Sequence, residues 1–210
     1  AGVLATMIFH FRKGFGKSFF TLMIIAMLAG CGVSLALKDY LKSIIQSSGF
    51  DVAGVHNKKA LEKRLQQLQE ADDTLNTGIM MFDLNNLKTV NDTMGHSAGD
   101  QLILNFARLL RNVIPEKDFV GRYGGDEFMA VIYHTSQTEV EEILKCLCLE
   151  KDRLNNREDK MLIDYAYGWA LSANDGKYTI QTLLDKADSY MYENKKLCKR
   201  YKRISEVESF

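Results

Sequence analysis

The spacing of apolar positions changes several times along the chain, and each spacing predicts an element. Residues 18–37, SFFTLMIIAMLAGCGVSLAL, carry no charge. A run of about 20 apolar residues can cross a bilayer as a helix. Gly30 and Gly32 within it suit a membrane helix better than a soluble one. KDYLKSIIQSSG (38–49) follows, with Leu41, Ile44 and Ile45 at helical spacing before Ser47, Ser48 and Gly49 break it. This stretch reads as a stalk, either a plain linker or a short coiled coil pairing two chains. From about residue 57 the pattern is mixed. Residues 58–71 predict a polar, charged helix. TGIMMFDL (77–84) is a continuous apolar run, as in a strand buried on both faces. Residues 86–94 predict a short helix. Leu102, Phe106, Leu109, Leu110 and Val113 stripe a longer helix over 98–113. Strand-like runs at 118–123 and 127–133 meet at Gly124-Gly125 and predict a hairpin. Val140, Ile143, Leu144 and Leu147 mark a helix over 138–151. Ile163, Tyr165, Tyr167, Trp169 and Leu171 alternate as on a strand over 162–171. Ile180, Leu183, Leu184, Ala187 and Met191 close the series with a helix over 180–195.

The resulting order is helix, strand, two helices, hairpin, helix, strand, helix. It predicts an α+β sandwich with a mostly antiparallel central sheet flanked by helices. The chain divides into a basic N-terminal segment (1–17), a transmembrane helix (18–37), a stalk (38–49) and a catalytic domain (50–210). Arg12, Lys13 and Lys17 would draw the N-terminal flank of the membrane segment to the cytoplasm.

Composition adds little. At 46% hydrophobic and 26% charged, the chain can bury a core of ordinary size. Zero net charge gives no reason to expect a nucleic-acid partner, although KKLCKRYKR (195–203) is a basic tail. Cys31, Cys146, Cys148 and Cys198 form no CxxC pair. Cys146 and Cys148, in a helix-like stretch, read as buried reduced thiols, and the chain as one of a reducing compartment.

Candidate chemistry lies where the strand patterns end. Asp83 closes the apolar run Ile79–Phe82. A carboxylate there is costly unless it is paired or binds a metal, or unless it caps the next helix. Asp126 and Glu127 begin the second hairpin strand. If that strand lies beside the first, Asp126 and Asp83 could face each other across the sheet. Two such carboxylates repel unless a divalent cation sits between them, an arrangement suited to phosphoryl or nucleotidyl transfer. Gly124-Gly125 reads either as a turn needing positive φ or as space for a triphosphate. In NDTMGHSAGD (91–100), Ser97 and Asp100 match a capping box. Asn91 and Asp100 could instead read a guanine edge, by amide and carboxylate. His96 beside them reads as a loop hydrogen-bonder. Lys195 reads as a complement to the helix dipole or as a phosphate clamp.

Taken in order, GRYGGDEF (121–128), FDLNNLKTVNDTMGHSAGD (82–100), YAYGWA (165–170) and ADSYMYENKK (187–196) resemble the GGDEF family of diguanylate cyclases. The resemblance runs from about residue 50 to about 200. It implies a polymerase-palm-like fold and condensation of two GTP into cyclic di-GMP with release of pyrophosphate. It implies Mg²⁺ (or Mn²⁺) held by Asp83 and Asp126 with the Leu84 carbonyl, and Glu127 as a second acidic group at the metals and the 3′-hydroxyl. Asn91 and Asp100 would read guanine, with His96 beside them. Lys88, Lys195 and Lys199 would contact phosphates, and Gly124 and Gly125 would line them. Each domain would hold one GTP, so a homodimer would bring two together at a cytoplasmic membrane, with the catalytic domain in the cytoplasm. Arg12, Lys13 and Lys17 pull the other way, since a single span with its N-terminal flank inside puts the rest of the chain outside. A non-catalytic GTP-binding module of the same fold is the alternative. Some positions depart from the family pattern. Asn85 stands where an aspartate is frequent. FDVAGVHNK (50–58) replaces the opening motif DxLTGLxNR. PEKD (115–118) puts Pro115 where the inhibitory RxxD site has arginine, which predicts no product inhibition there. Cys198 and Lys199 replace a glycine and an arginine; Lys199 lacks the bidentate fork.

Overall fold

Strand β1, Gly78–Leu84, is buried along its whole length, as its continuous apolar run predicts. It sits inside a four-stranded sheet of order β2-β3-β1-β4, with β2 Phe119–Arg122, β3 Glu127–Ile132 and β4 Tyr165–Leu171. Every pairing is antiparallel. The helices are α1 Lys58–Glu70, α2 Leu87–Met94, α3 His96–Val113, α4 Gln137–Asn155 and α5 Ile180–Glu208. These come from a computed structural model that describes residues 40, 49–70, 76–156, 161–172 and 178–208. The chain divides into units 1–45 and 46–210. The membrane helix expected at 18–37 and nearly all of the stalk lie outside the described residues. Among the described residues no helix is long and apolar enough to cross a membrane.

The period-two geometry of a strand sends alternate side chains of β1 to opposite faces. Met80, Phe82 and Leu84 enter one core with Leu102, Phe106 and Leu110 of α3 and Val140 and Leu147 of α4. Ile79 and Met81 enter a second core with Leu61, Leu65 and Leu68 of α1 and Leu183, Ala187 and Met191 of α5. Helices therefore cover both faces. Gly168 lets α5 approach β4: a Cβ there would strike the backbone of Ala187 and Met191. The last helix runs well past its expected end at 195 and takes the basic tail with it. Cys146 and Cys148 are exposed on α4 rather than buried, because its inward face is formed by Val140 and Leu147.

Candidate functional site

Two side-chain rows run out of apolar residues at the same end of the sheet. On β1, Asp83 follows Ile79 and Met81 on one face. On α5, Leu183, Ala187 and Met191 recur every fourth residue, and Lys195 is next on that face. The two terminating charges meet: Lys195 Nζ donates to Asp83 Oδ2 at 2.5 Å. The Asp83 side chain is 9% exposed and the Lys195 side chain 25%. Asp83 Oδ1 is buried with no hydrogen-bond partner. A buried carboxylate oxygen left in that state is costly. The bland alternatives for both residues fail. Asn86, not Asp83, is the N-cap of α2. Lys195 lies in the interior of α5, too far from its end for the dipole to explain it.

The hairpin supplies the second wall. Tyr123 N and Gly124 N both donate to Glu127 O, at 2.8 and 3.1 Å. Neither Gly124 nor Gly125 has a left-handed φ, so the turn does not require glycine on conformational grounds. A Cβ on Gly125 would meet nothing within 4 Å, whereas one on Gly124 would lie 2.5 Å from Glu127 Oε2. Gly125 thus opens onto free space beside Asp126. Arg122 pins the turn from behind. Its Nε donates to the carbonyls of Gly124 (3.1 Å) and Gly125 (3.2 Å), and Nη2 donates to Gly125 O at 2.7 Å. Its Nη1 pairs with Asp51 Oδ1 at 3.5 Å, tying the altered opening segment to the hairpin. Sequence reasoning assigns no role to Arg122 or Asp51. An arginine one residue before the turn was the available signal.

The register differs from expectation by one residue. Asp83 pairs with Glu127, and Asp126 precedes β3, its carbonyl accepting from Leu84 N at 2.8 Å. Asp83 and Asp126 nevertheless line one cavity of about 250 Å³, together with Leu84, Lys88, Lys195 and Cys198. Burial pushes the Glu127 carboxyl above its ordinary range, and the charges of Asp126 and Asp83 push it further the same way. Among the described residues no three acidic, histidine or cysteine side chains are gathered into a ready-made metal cluster. The donors still fit a hard divalent cation. They are all oxygen, and Asp83 offers a buried oxygen with no other partner. Asn85 turns away, its amide donating to Asp164 Oδ2 at 3.2 Å.

The guanine-reading candidates sit apart from that cavity. Gly95, at φ 86°, joins α2 to α3 and serves as the α3 N-cap with no side-chain cap bond. The Ser97–Asp100 capping box does not form. A capping box forms instead at Ser136 and Glu139 on α4. The Asn91 side chain lies against Gly99, where any Cβ would strike it, so Asn91 and Asp100 belong to adjoining turns of the α2–α3 corner. His96 and Asp100 are exposed there. The Lys199 side chain lies outside the described residues. At the position of the inhibitory motif, Asp118 faces inward and its Oδ1 accepts from Tyr133 N at 2.9 Å. A larger cavity of about 680 Å³ between β4 and α5 is lined by none of the expected site residues.

Residues 51–200 match the family model described as diguanylate cyclase, GGDEF domain. Among characterised relatives, signaling protein YkoW of Bacillus subtilis is 33% identical over 123 residues, covering 57% of this chain and 15% of its own length. Diguanylate cyclase DgcN of Escherichia coli is 29% identical over 150 residues, covering 69% of this chain and 36% of its own. Relatives named cyclic di-GMP phosphodiesterases match as well. The chain thus spans well under half the length of these relatives. The coiled coil and GGDEF domain of DgcB from Caulobacter crescentus, solved with c-di-GMP, superposes with a TM-score of 0.62 at 23% identity. It covers 82% of this chain and 94% of that one, and shows the same palm-like α+β fold. With more than two thirds of its length matched by that model, the chain belongs to the GGDEF domain family of diguanylate cyclases.

Proposed function

We propose that this chain is an active diguanylate cyclase, condensing two GTP into cyclic di-GMP and two pyrophosphates as a dimer of domains. The observation that carries the reading is the Asp83 carboxylate. It is buried, held on one oxygen by Lys195 and unpartnered on the other, at the wall of a cavity it shares with Asp126. Asp83, Asp126 and the Leu84 carbonyl would hold Mg²⁺ or Mn²⁺, with Glu127 beside them. Such an ion would supply charge neutralisation at the triphosphate. The chain's own residues do the rest. Lys88 and Lys195 bind phosphate oxygens. Gly125 leaves the backbone of the hairpin tip open to the phosphates, and Arg122 keeps that tip in place. Asn91 and Asp100 read the guanine edge from the α2–α3 corner. Glu127, held above its ordinary acidity range, faces the 3′-hydroxyl. Two domains face to face then align one 3′-hydroxyl with the α-phosphorus of the other nucleotide, which is catalysis by proximity. The substrate requires the domain to lie on the cytoplasmic side of the membrane expected at 18–37.

A non-catalytic GTP-binding module is the second reading, favoured by the lysine that already neutralises Asp83. Incubation of the 210-residue chain with GTP and Mg²⁺ separates the two. Cyclic di-GMP should form, and Asp126→Ala should abolish it while the circular dichroism spectrum is unchanged. GTP binding with no product, at protein concentrations where dimers form, would establish the module instead.

A further inference from the structure

We propose that Cys198 is a thiol-modification site that closes the nucleotide pocket, with low-molecular-weight disulfides as its reagent class. The consequence for GTP rests on the cyclase reading above. Cys198 lies on α5 and lines the same cavity of about 250 Å³ as Asp83, Asp126 and Lys195. The family resemblance expects glycine at this position, so a reactive side chain stands where the pattern has none. The feature that carries the cyclase reading also marks the cavity as one that takes a ligand: on an Asp83 side chain more than nine-tenths buried, Oδ2 is held by Lys195 and Oδ1 has no partner. The thiol is weakly held. Its Sγ donates to Asn194 Oδ1 at 3.9 Å, and that same oxygen accepts from Tyr167 N at 3.2 Å. Cys198 is half-buried, so a small reagent that enters the cavity reaches it.

The chemistry is thiol–disulfide exchange. The Cys198 sulfur attacks one sulfur of the small disulfide, and a new S–S bond forms as the reagent's own S–S bond breaks. The second half leaves as a thiol carrying the cysteine's proton. The disulfide is the oxidant, and no other redox partner is needed. A glutathionyl group is a tripeptide and brings two carboxylates of its own. In so small a cavity it fills the phosphate path and sets negative charge against Asp83 and Asp126. Cys146 and Cys148 are built-in controls. They are exposed on α4, which packs on the opposite face of the sheet.

The 210-residue chain is treated with glutathione disulfide and mixed disulfides are mapped by peptide mass. GTP binding is measured before and after. Expected is a mixed disulfide at Cys198 whose formation GTP with Mg²⁺ slows by at least about tenfold, with Cys146 and Cys148 labelling unaffected. Modified protein should bind GTP at least about tenfold more weakly, and dithiothreitol should restore binding. In Cys198→Ala, treatment should leave that variant's own GTP binding where it began. Labelling of Cys146 and Cys148 without Cys198, or modification of Cys198 with GTP binding unchanged, overturns the proposal alone. Failure of the untreated protein to bind GTP overturns the cyclase reading and the gate together.

Discussion

Removing the ammonium of Lys195 should cost more stability than removing the charge of Asp83, and the inequality tests the site directly. In Lys195→Met the methylene stem is kept and the charge is lost. Asp83 then has one buried oxygen without a partner and a second that has just lost its own. Breaking a fully buried pair from one side costs about 3–5 kcal/mol. With the lysine side chain 25% exposed, a charge-assisted bond of about 2–3 kcal/mol is the appropriate figure. For a chain of this size that is roughly 4–12 °C in Tm. Asp83→Asn removes the buried charge instead, and Lys195 can turn to solvent, so the loss should stay under about 1 kcal/mol. The double variant should resemble Asp83→Asn, which makes the pair strongly coupled in a double-mutant cycle. Mg²⁺ should recover part of the Lys195→Met loss, because an ion binding only the folded state takes over the lysine's place at Asp83. Urea unfolding of the four proteins with and without Mg²⁺ provides the numbers. A Lys195→Met loss below about 0.5 kcal/mol, or an Asp83→Asn loss as large as that of Lys195→Met, would refute the reasoning.

Gly125→Ala should fold with unchanged or slightly raised stability, since its methyl meets open space at an ordinary φ, yet bind GTP about tenfold more weakly; isothermal titration beside a thermal melt separates the two effects. Glu127 has a raised folded pKa, so its contribution to stability is present below the ordinary value of 4.5 and is lost as pH rises through the raised one. Glu127→Gln should therefore match the wild type in acid and exceed it above that window by less than about 1 kcal/mol, as read by urea midpoints on either side. Asp100→Ala should leave the fold intact, because Asp100 is exposed and makes no cap, and should narrow the preference for GTP over ATP by about 1–3 kcal/mol in competition binding.

The elements were legible because their periodicities are strong. The seven-residue apolar run of β1 and the stripes of α3 and α5 specify buried faces, and the structure ends most of these elements within a few residues of the expected bounds. The end of α5 was not legible. Its apolar stripe stops at Met191, while the polar turns beyond continue on helix propensity, which leaves no hydrophobic trace. The register at Asp83 was not legible either. Sequence gives the face of a residue but not which cross-strand neighbour it meets, since that depends on the length of the hairpin turn. A four-residue loop, 123–126, places Glu127 opposite Asp83 and leaves Asp126 at the tip. The bland alternatives were chemically sound and lost on position. Ser97 could have capped a helix beginning at 98, but the helix begins two residues earlier, at His96, and glycine takes the cap.

The site also explains why its strongest motif looked ambiguous. Glycines in a hairpin usually answer a need for positive φ. Gly124 and Gly125 do not, and no atom crowds the missing Cβ of Gly125. A residue with no side chain, where neither backbone nor packing forbids one, is left without a folding explanation. The same holds for Asp83, whose burial the fold only half compensates. Each feature costs the fold something or gives it nothing, and Gly125 adjoins Asp126, which lines one cavity with Asp83. Asp118 Oδ2 is also buried without a partner, but it lies away from this cavity and beside no such glycine; the two failures occur together only here, and what binds there best accounts for them.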